Sequence, residues 1–314
     1  MAADFEMIEK INELKEKKNA VILAHNYELP EIQDVADFVG DSLGLSQMAA
    51  KTDAELIVFC GVHFMAETAS IISPNKKVII PDLNAGCSLA DTINADQLRK
   101  WKAENPGAVV VSYVNTTAEV KAESDYCCTS SNAVKVIEAI PEERKILFLP
   151  DKFLGGYVKA MTGRDIQIWD GCCHVHEKIG EIELNKAEEM YPGAEILIHP
   201  ECGCSTSCML KTAVYSDCDN VNIFSTEGMM NFVSESESEE FLVATEVGIL
   251  HRMKKENPGK TFYPASENSV CEYMKMITPE KLYLSLLNEE FEVKVPAELA
   301  DKARLPIERM LNIF

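Results

Sequence analysis

Trp169 to His176 reads WDGCCHVH, two thiols and two imidazoles placed at the end of an alternating β-type run, Asp165 to Trp169 (DIQIW). Alternation with a period of two marks a strand with one face buried, so Cys173 sits just beyond a strand. Two other stretches repeat the arrangement: KVIIPDLNAGC ends on Cys87 and KTFYPASENSVC ends on Cys271. A lone cysteine in such a place is usually a small buried hydrophobe. Three of them after the same kind of strand point to a shared ligand site.

Outward from these cysteines the chain repeats itself three times. The amphipathic stretch Asp4 to Glu16 leads into Ala20 and AVILAHNY. Asn94 to Glu104, with Asn94 as N-cap and Gln97 at the capping-box position, leads into Ala108 and AVVVSYVN. Glu183 to Met190 leads into Ala194 and AEILIHPE. Counting from the three alanines, position +5 is His25, Tyr113 and His199, and position +7 is Tyr27, Asn115 and Glu201. Position +22 is Ser42 and Ser130 in the first two units; in the third it becomes Ser225 or Thr226, at +31 or +32. The displacement reflects an insertion of roughly ten residues that carries Cys202, Cys204 and Cys208.

Each unit continues with a strand, a helix and a last strand: ELIVFC with KVIIP, KILFLP with DIQIW, and FLVAT with TFYPA. The cysteines come at +67 (87 minus 20), +65 (173 minus 108) and +77 (271 minus 194), the last displaced by the insertion. Strands alternating with helices imply parallel sheets with right-handed crossovers, and ligands of such sheets bind beyond the carboxyl ends of the strands. The expected fold is therefore α/β: three similar αβα units, 1–87, 88–173 and 174–314, in pseudo-threefold symmetry, with Cys87, Cys173 and Cys271 meeting at the centre. Thr278-Pro279-Glu280 opens a further helix, with Thr as N-cap and Pro at the first position. It resembles the lead-in of a fourth unit and is expected to pack back on the first.

A chain of 314 residues, 46% hydrophobic and 26% charged, is globular and long enough for two or three domains. Its first residues carry no signal-peptide core, and no apolar run approaches a membrane span, so a cytoplasmic protein is expected. The formal charge of −21, from 30 basic and 51 acidic residues, argues against a nucleic-acid partner. Eleven cysteines in such a chain suit metal or redox chemistry better than a disulfide frame. Cys60, Cys127, Cys128, Cys172 and Cys218 are assigned to core packing.

Three thiolates leave one position open in a centre that takes four ligands. A [4Fe-4S] cluster so held has one iron free to act as a Lewis acid. A Cys3His zinc site completed by His176 is equally compatible with the spacing. The CGCSTSC segment is read as a loop whose thiols pack or pair with one another. Ser42, Ser130, Ser225 and Thr226 stand before expected helix starts, where they cap and where free N–H groups also receive anions. No Walker or GxGxxG pattern supports a nucleotide, and Gly155-Gly156 is too little to claim one.

These motifs resemble those of the quinolinate synthase family along nearly the whole chain. The resemblance is carried by AHNYELPEIQDVADFVGDSLGLS (Ala24 to Ser46), FCGVHFMAET (Phe59 to Thr68), PDLNAGCSLAD (Pro81 to Asp91), YVNTTAEVKAESDYCCTSSNA (Tyr113 to Ala133), WDGCCHVH, HPEC (His199 to Cys202) and ENSVCEYMKMI (Glu267 to Ile277). It implies an iron-sulfur enzyme of NAD biosynthesis, with a [4Fe-4S] cluster on Cys87, Cys173 and Cys271 and not on Cys172. It implies condensation of iminoaspartate with dihydroxyacetone phosphate to quinolinate, releasing phosphate and two waters. Pathway logic adds an aspartate-oxidising partner. Substrate-binding positions of the family fall on His25, Tyr27, Ser42, Tyr113, Asn115, Ser130, His176, His199, Glu201 and Thr226, with Ser225 beside the last. Glu201 is the candidate general acid and base, and Tyr27, Tyr113 and His25 are candidates for moving protons. Competing readings are a dehydratase of a hydroxy acid with an open-iron cluster, a zinc hydrolase using Cys173 and His176, and an iron-sulfur carrier without turnover.

Overall fold

A computed structural model of the chain describes residues 2–205, 208–209 and 220–313; Cys218 lies outside them. It contains three four-stranded parallel sheets. The first is built from β1 (Ala20–His25), β2 (Phe38–Gly40), β3 (Leu56–Cys60) and β4 (Lys77–Ile79). The second has β5 (Val109–Tyr113), β6 (Tyr126–Cys128), β7 (Ile146–Leu149) and β8 (Ile166–Ile168). The third has β9 (Glu195–Ile198), β10 (Val221–Ile223), β11 (Glu240–Ala244) and β12 (Thr261–Pro264). Their orders are β2-β1-β3-β4, β6-β5-β7-β8 and β10-β9-β11-β12, one topology used three times. β3 and β5 are buried at every residue, as expected of strands covered by helices on both faces.

The lead-in helices form where the apolar spacing places them, as Ala2–Lys17, Ala95–Glu104 and Glu181–Met190. Asn94 and Gln97 close a reciprocal capping box on the second, satisfying two donors that a helix start leaves free. The short strands β2, β6 and β10 fall in runs to which the sequence reading assigned no element. Three residues are too few for a periodic signal, yet each strand fixes the register of the segment beyond it.

That register resolves the third unit. His25 pairs with Gly40 and Ser42 comes two residues on; Tyr113 pairs with Cys128 and Ser130 comes two residues on. On the third sheet Ile198 pairs with Ile223, so His199 falls opposite Phe224 and the counterpart serine position is Thr226. Ser225 is one place out of step.

Helix Pro279–Asn288, capped by Thr278 through Lys281 N–H, packs on the first unit beside Ala2–Lys17. Glu289 at its end bridges Lys18 at 2.6 Å and Lys77 at 3.1 Å. The last helix, Ala297–Leu311, lies across the first two units. It buries Ala303, Ile307 and Met310, and Arg309 donates to the Asp125 carbonyl at 2.6 Å. No helix of the described residues is long and apolar enough to cross a membrane.

Two glycines explain themselves by contact. A Cβ on Gly155 would stand 2.7 Å from Ile168 and 3.0 Å from Phe148, so Gly155 lets the helix Lys152–Thr162 press on β7 and β8, with no nucleotide role required. A Cβ on Gly171 would stand 2.4 Å from the Pro150 carbonyl oxygen and 2.5 Å from Thr92 Oγ1. Those are fixed neighbours, so Gly171→Ala is expected to lower the unfolding free energy by roughly 2–3 kcal/mol, read as a fall in the urea midpoint at constant slope.

Candidate active site

The carboxyl ends of the three sheets converge on one cavity. Cys87, Cys173 and Cys271 all reach its wall, one from each unit. Each stands three residues before a single 3-10 turn: Ala90–Thr92, His176–Lys178 and Met274–Met276. Each sulfur is met by backbone N–H groups two and three residues on. Leu89 and Ala90 serve Cys87, Val175 and His176 serve Cys173, and Tyr273 and Met274 serve Cys271. A pair of N–H donors converging on a sulfur stabilises thiolate, yet burial outweighs it in the metal-free protein. Burial pushes the Cys87 thiol up to about 12 and that of Cys271 to about 11. A metal entering this site would displace the protons.

Cys172, the neighbour, is no core residue. It is partly exposed, and its thiol meets the Glu177 carboxylate, because the turn that aims Cys173 inward turns the preceding side chain outward. Cys60, Cys127 and Cys128 are fully buried as expected. Cys202, Cys204 and Cys208 are buried within the third unit, and Cys204 touches the other two.

His25, Tyr27, Ser42, Tyr113, Asn115, Ser130, His199, Glu201 and Thr226 line the same cavity, as does His176. Ser42 and Thr226 are the first residues of helices Ser42–Lys51 and Thr226–Glu235, while the caps are Asp41 and Ser225. Ser130 stands further from its helix, Ala133–Glu138. So capping applies to Ser225 alone of the four hydroxyls, and the other three face the cavity. Ser225 is spent elsewhere: its oxygen accepts from Gly228 N–H at 3.2 Å and lies 2.9 Å from Ser131 Oγ. It lines a neighbouring hollow.

Imidazole tautomers are set by repeated contacts. His25 Nδ1 accepts from Tyr27 N–H at 3.2 Å, and His199 Nδ1 faces Glu201 N–H at 3.5 Å. Each ring therefore directs Nε2–H away from its own backbone, that of His199 lying 3.3 Å from Ser130 Oγ. Burial, helped by Lys275 and His176, pushes His25 down to about 3, and burial with His174 does the same to His176. Burial also holds His199 well below the usual range. All three are neutral near pH 7.

Glu201 is the pivot. Tyr113 Oη donates to its Oε2 at 3.2 Å, His199 Nδ1 lies 3.2 Å from the same oxygen, and His176 Nε2 lies 3.7 Å away. Its Oε1 is buried with no partner. Burial and the Asp151 charge raise its pKa well above the carboxylate range, against the pull of the Tyr113 hydrogen bond. Tyr27 Oη lies 2.5 Å from Thr245 Oγ1, and Asn115 Oδ1 is also buried and unpartnered. Buried polar atoms without partners are rare, and these two belong to residues that line one cavity.

Sequence reasoning missed Glu246, which also lines the cavity. Its Oε1 accepts from Cys271 N–H at 3.1 Å and lies 3.0 Å from Lys275 Nζ, while Oε2 accepts from Gly248 N–H at 2.6 Å. It holds the third cysteine's backbone in place. The available signal was a lone acid two residues beyond a buried strand.

Residues 9–312 match the family model described as Quinolinate synthetase A protein. A quinolinate synthase of Pyrobaculum aerophilum is 56% identical over 304 residues, covering 97% of this chain and 98% of its own length. One from Thermus thermophilus is 54% identical over 307 residues, covering 98% and 97%. One from Mycobacterium leprae is 51% identical over 306 residues, covering 97% and 87%.

Proposed function

The chain belongs to the quinolinate synthase family, and from that premise we propose that it condenses iminoaspartate with dihydroxyacetone phosphate to quinolinate, releasing phosphate and two waters. Cys87, Cys173 and Cys271 would hold a [4Fe-4S] cluster. The observation that carries this reading is the threefold sulfur cradle: one cysteine per unit, each before the same turn, each met by the same two N–H groups, all on one cavity.

The donor set fits a cluster better than a Cys3His zinc. Thiolates on one zinc ion stand about 4 Å apart, given bonds of about 2.3 Å in a tetrahedron. Among the described residues the His, Cys, Asp and Glu trio with ligand atoms all within 4.8 Å is His176, His199 and Glu201; the three cysteines are not such a trio. When bound, a cluster with three protein ligands supplies a Lewis-acidic iron that polarises a substrate oxygen.

The chain's own residues supply binding and proton movement. Both substrates are anionic, yet no Lys or Arg lines the cavity among the described residues. Their charge falls instead to neutral donors and helix starts: Nε2–H of His25 and His199, the Asn115 amide, and the hydroxyls of Ser42, Ser130 and Thr226 with the N–H groups behind Ser42 and Thr226. Glu201, held protonated by its burial, can give a proton to a departing hydroxyl and take one from carbon. Tyr113 and Tyr27 border the same space and can relay protons during isomerisation and ring closure. The supply of iminoaspartate requires a reaction that oxidises the amine of aspartate.

A second reading has one observation behind it: the trio His176, His199 and Glu201 could hold a single divalent ion and support hydrolysis. Anaerobic purification with iron, sulfide and zinc analysis, then assay with iminoaspartate and dihydroxyacetone phosphate, separates the two. Four irons and four sulfides per chain with quinolinate formed is the expected result. Stoichiometric zinc and no quinolinate would sink the proposal.

A further inference from the structure

The residues immediately after the three cysteines are Ser88, His174 and Glu272, chemically unlike and far apart in sequence. They meet. His174 Nδ1 lies 2.5 Å from Ser88 Oγ, and His174 Nε2 lies 2.9 Å from Glu272 Oε2. A carboxylate only accepts, so Nε2 carries the hydrogen of that contact, while Nδ1 and the Ser88 hydroxyl share the other. Each unit contributes one member, always at the position one past its cysteine. The histidine of the middle unit therefore ties all three cysteine loops together.

The tie faces outward. The His174 side chain is 30% exposed and that of Glu272 60%, while Ser88 and His174 also line the cavity beside the partly exposed Cys87, Cys173 and Cys271. The Tyr273 ring stands edge-on to His174 at 5.9 Å and completes the cover. Glu272 is too well hydrated to belong to a hydrolytic Ser-His-Glu arrangement, which depends on a buried carboxylate. Two hydrogen bonds spanning three sheet units suit a different task. We propose that Ser88, His174 and Glu272 form a clasp that holds the three ligand loops in register and closes the cysteine side of the cavity to solvent. His174 is its positioning residue.

The clasp rests on the three cysteines being the ligand set proposed above, and its test is arranged to read it with and without metal. In metal-free protein, alkylation of individual cysteines by iodoacetamide is tracked by peptide mass spectrometry. His174→Ala is expected to speed alkylation of Cys87, Cys173 and Cys271 roughly tenfold, as local opening becomes easier, and to leave fully buried Cys128 unchanged. Ser88→Ala should act mainly at Cys87 and Glu272→Ala mainly at Cys271, since each removes one of the two bonds. In protein purified with iron, His174→Ala should release it to a chelator faster by a similar factor. Equal alkylation rates in wild type and all three variants would overturn the clasp. Wild-type protein without iron would overturn the cluster instead, and the alkylation rates would still decide the clasp.

Discussion

Cys173→Ser is expected to abolish quinolinate formation, by at least a hundredfold, and to leave the protein without stoichiometric iron and sulfide, while Cys172→Ser keeps both within about twofold. The contrast between neighbours is the strong part. Cys173 lines the cavity with Val175 and His176 N–H groups aimed at its sulfur, whereas Cys172 stands off that lining and turns its thiol to Glu177. A hydroxyl in place of the thiol keeps the shape but offers iron a poor ligand. Cys87→Ser and Cys271→Ser should match Cys173→Ser, because their sulfurs have the same two donors at the same offsets. Iron and acid-labile sulfide per chain, with the anaerobic rate, are the measurements. Full iron content in Cys173→Ser with loss in Cys172→Ser would reverse the assignment. Partial loss in only one of the three cysteine variants would point to a site that is not threefold.

The threefold plan could be read from the sequence because strand ends, not whole strands, carry the repeated polar residues. His25 and Tyr113 stand at the last step of a central strand and His199 one step past its counterpart β9, and a parallel sheet leaves those steps at the ligand face. The serine position was legible in two units and ambiguous in the third. There, β10 is three residues long and comes after the insertion, so only its pairing with β9 shows that Thr226 is in step. Ser225 had the right chemistry for capping and no counterpart role in the cavity. The clasp was invisible for a different reason. Ser88, His174 and Glu272 have nothing in common except the residue before them, and a serine, a histidine and a glutamate do not announce a shared contact. Glu246 was hidden similarly, since an acid after a buried strand carries no signal until the backbone it anchors is in view.

Glu201→Gln should lower kcat by roughly a hundredfold to ten-thousandfold, the range of a general acid-base group, with iron and sulfide at wild-type levels and KM changed little. Glutamine keeps the volume and one acceptor oxygen, so it can still receive the Tyr113 hydroxyl now 3.2 Å from Oε2. It cannot carry an acidic proton. Glu201 is suited to that task by three features: it is almost fully buried, one of its oxygens has no hydrogen-bond partner, and its pKa is raised by burial and by the Asp151 charge. A carboxyl held neutral can donate to a departing hydroxyl and, once ionised, recover its proton from substrate carbon. Tyr113→Phe removes one polar contact and leaves the acid in place, so its loss should be smaller, about tenfold. If Glu201→Gln, with its metal content intact, turned over near the wild-type rate, the proton would have to move through Tyr27, Tyr113 or a histidine instead. If Tyr113→Phe lost as much as Glu201→Gln, the two would be acting as one unit, and the double variant would then cost no more than either single change.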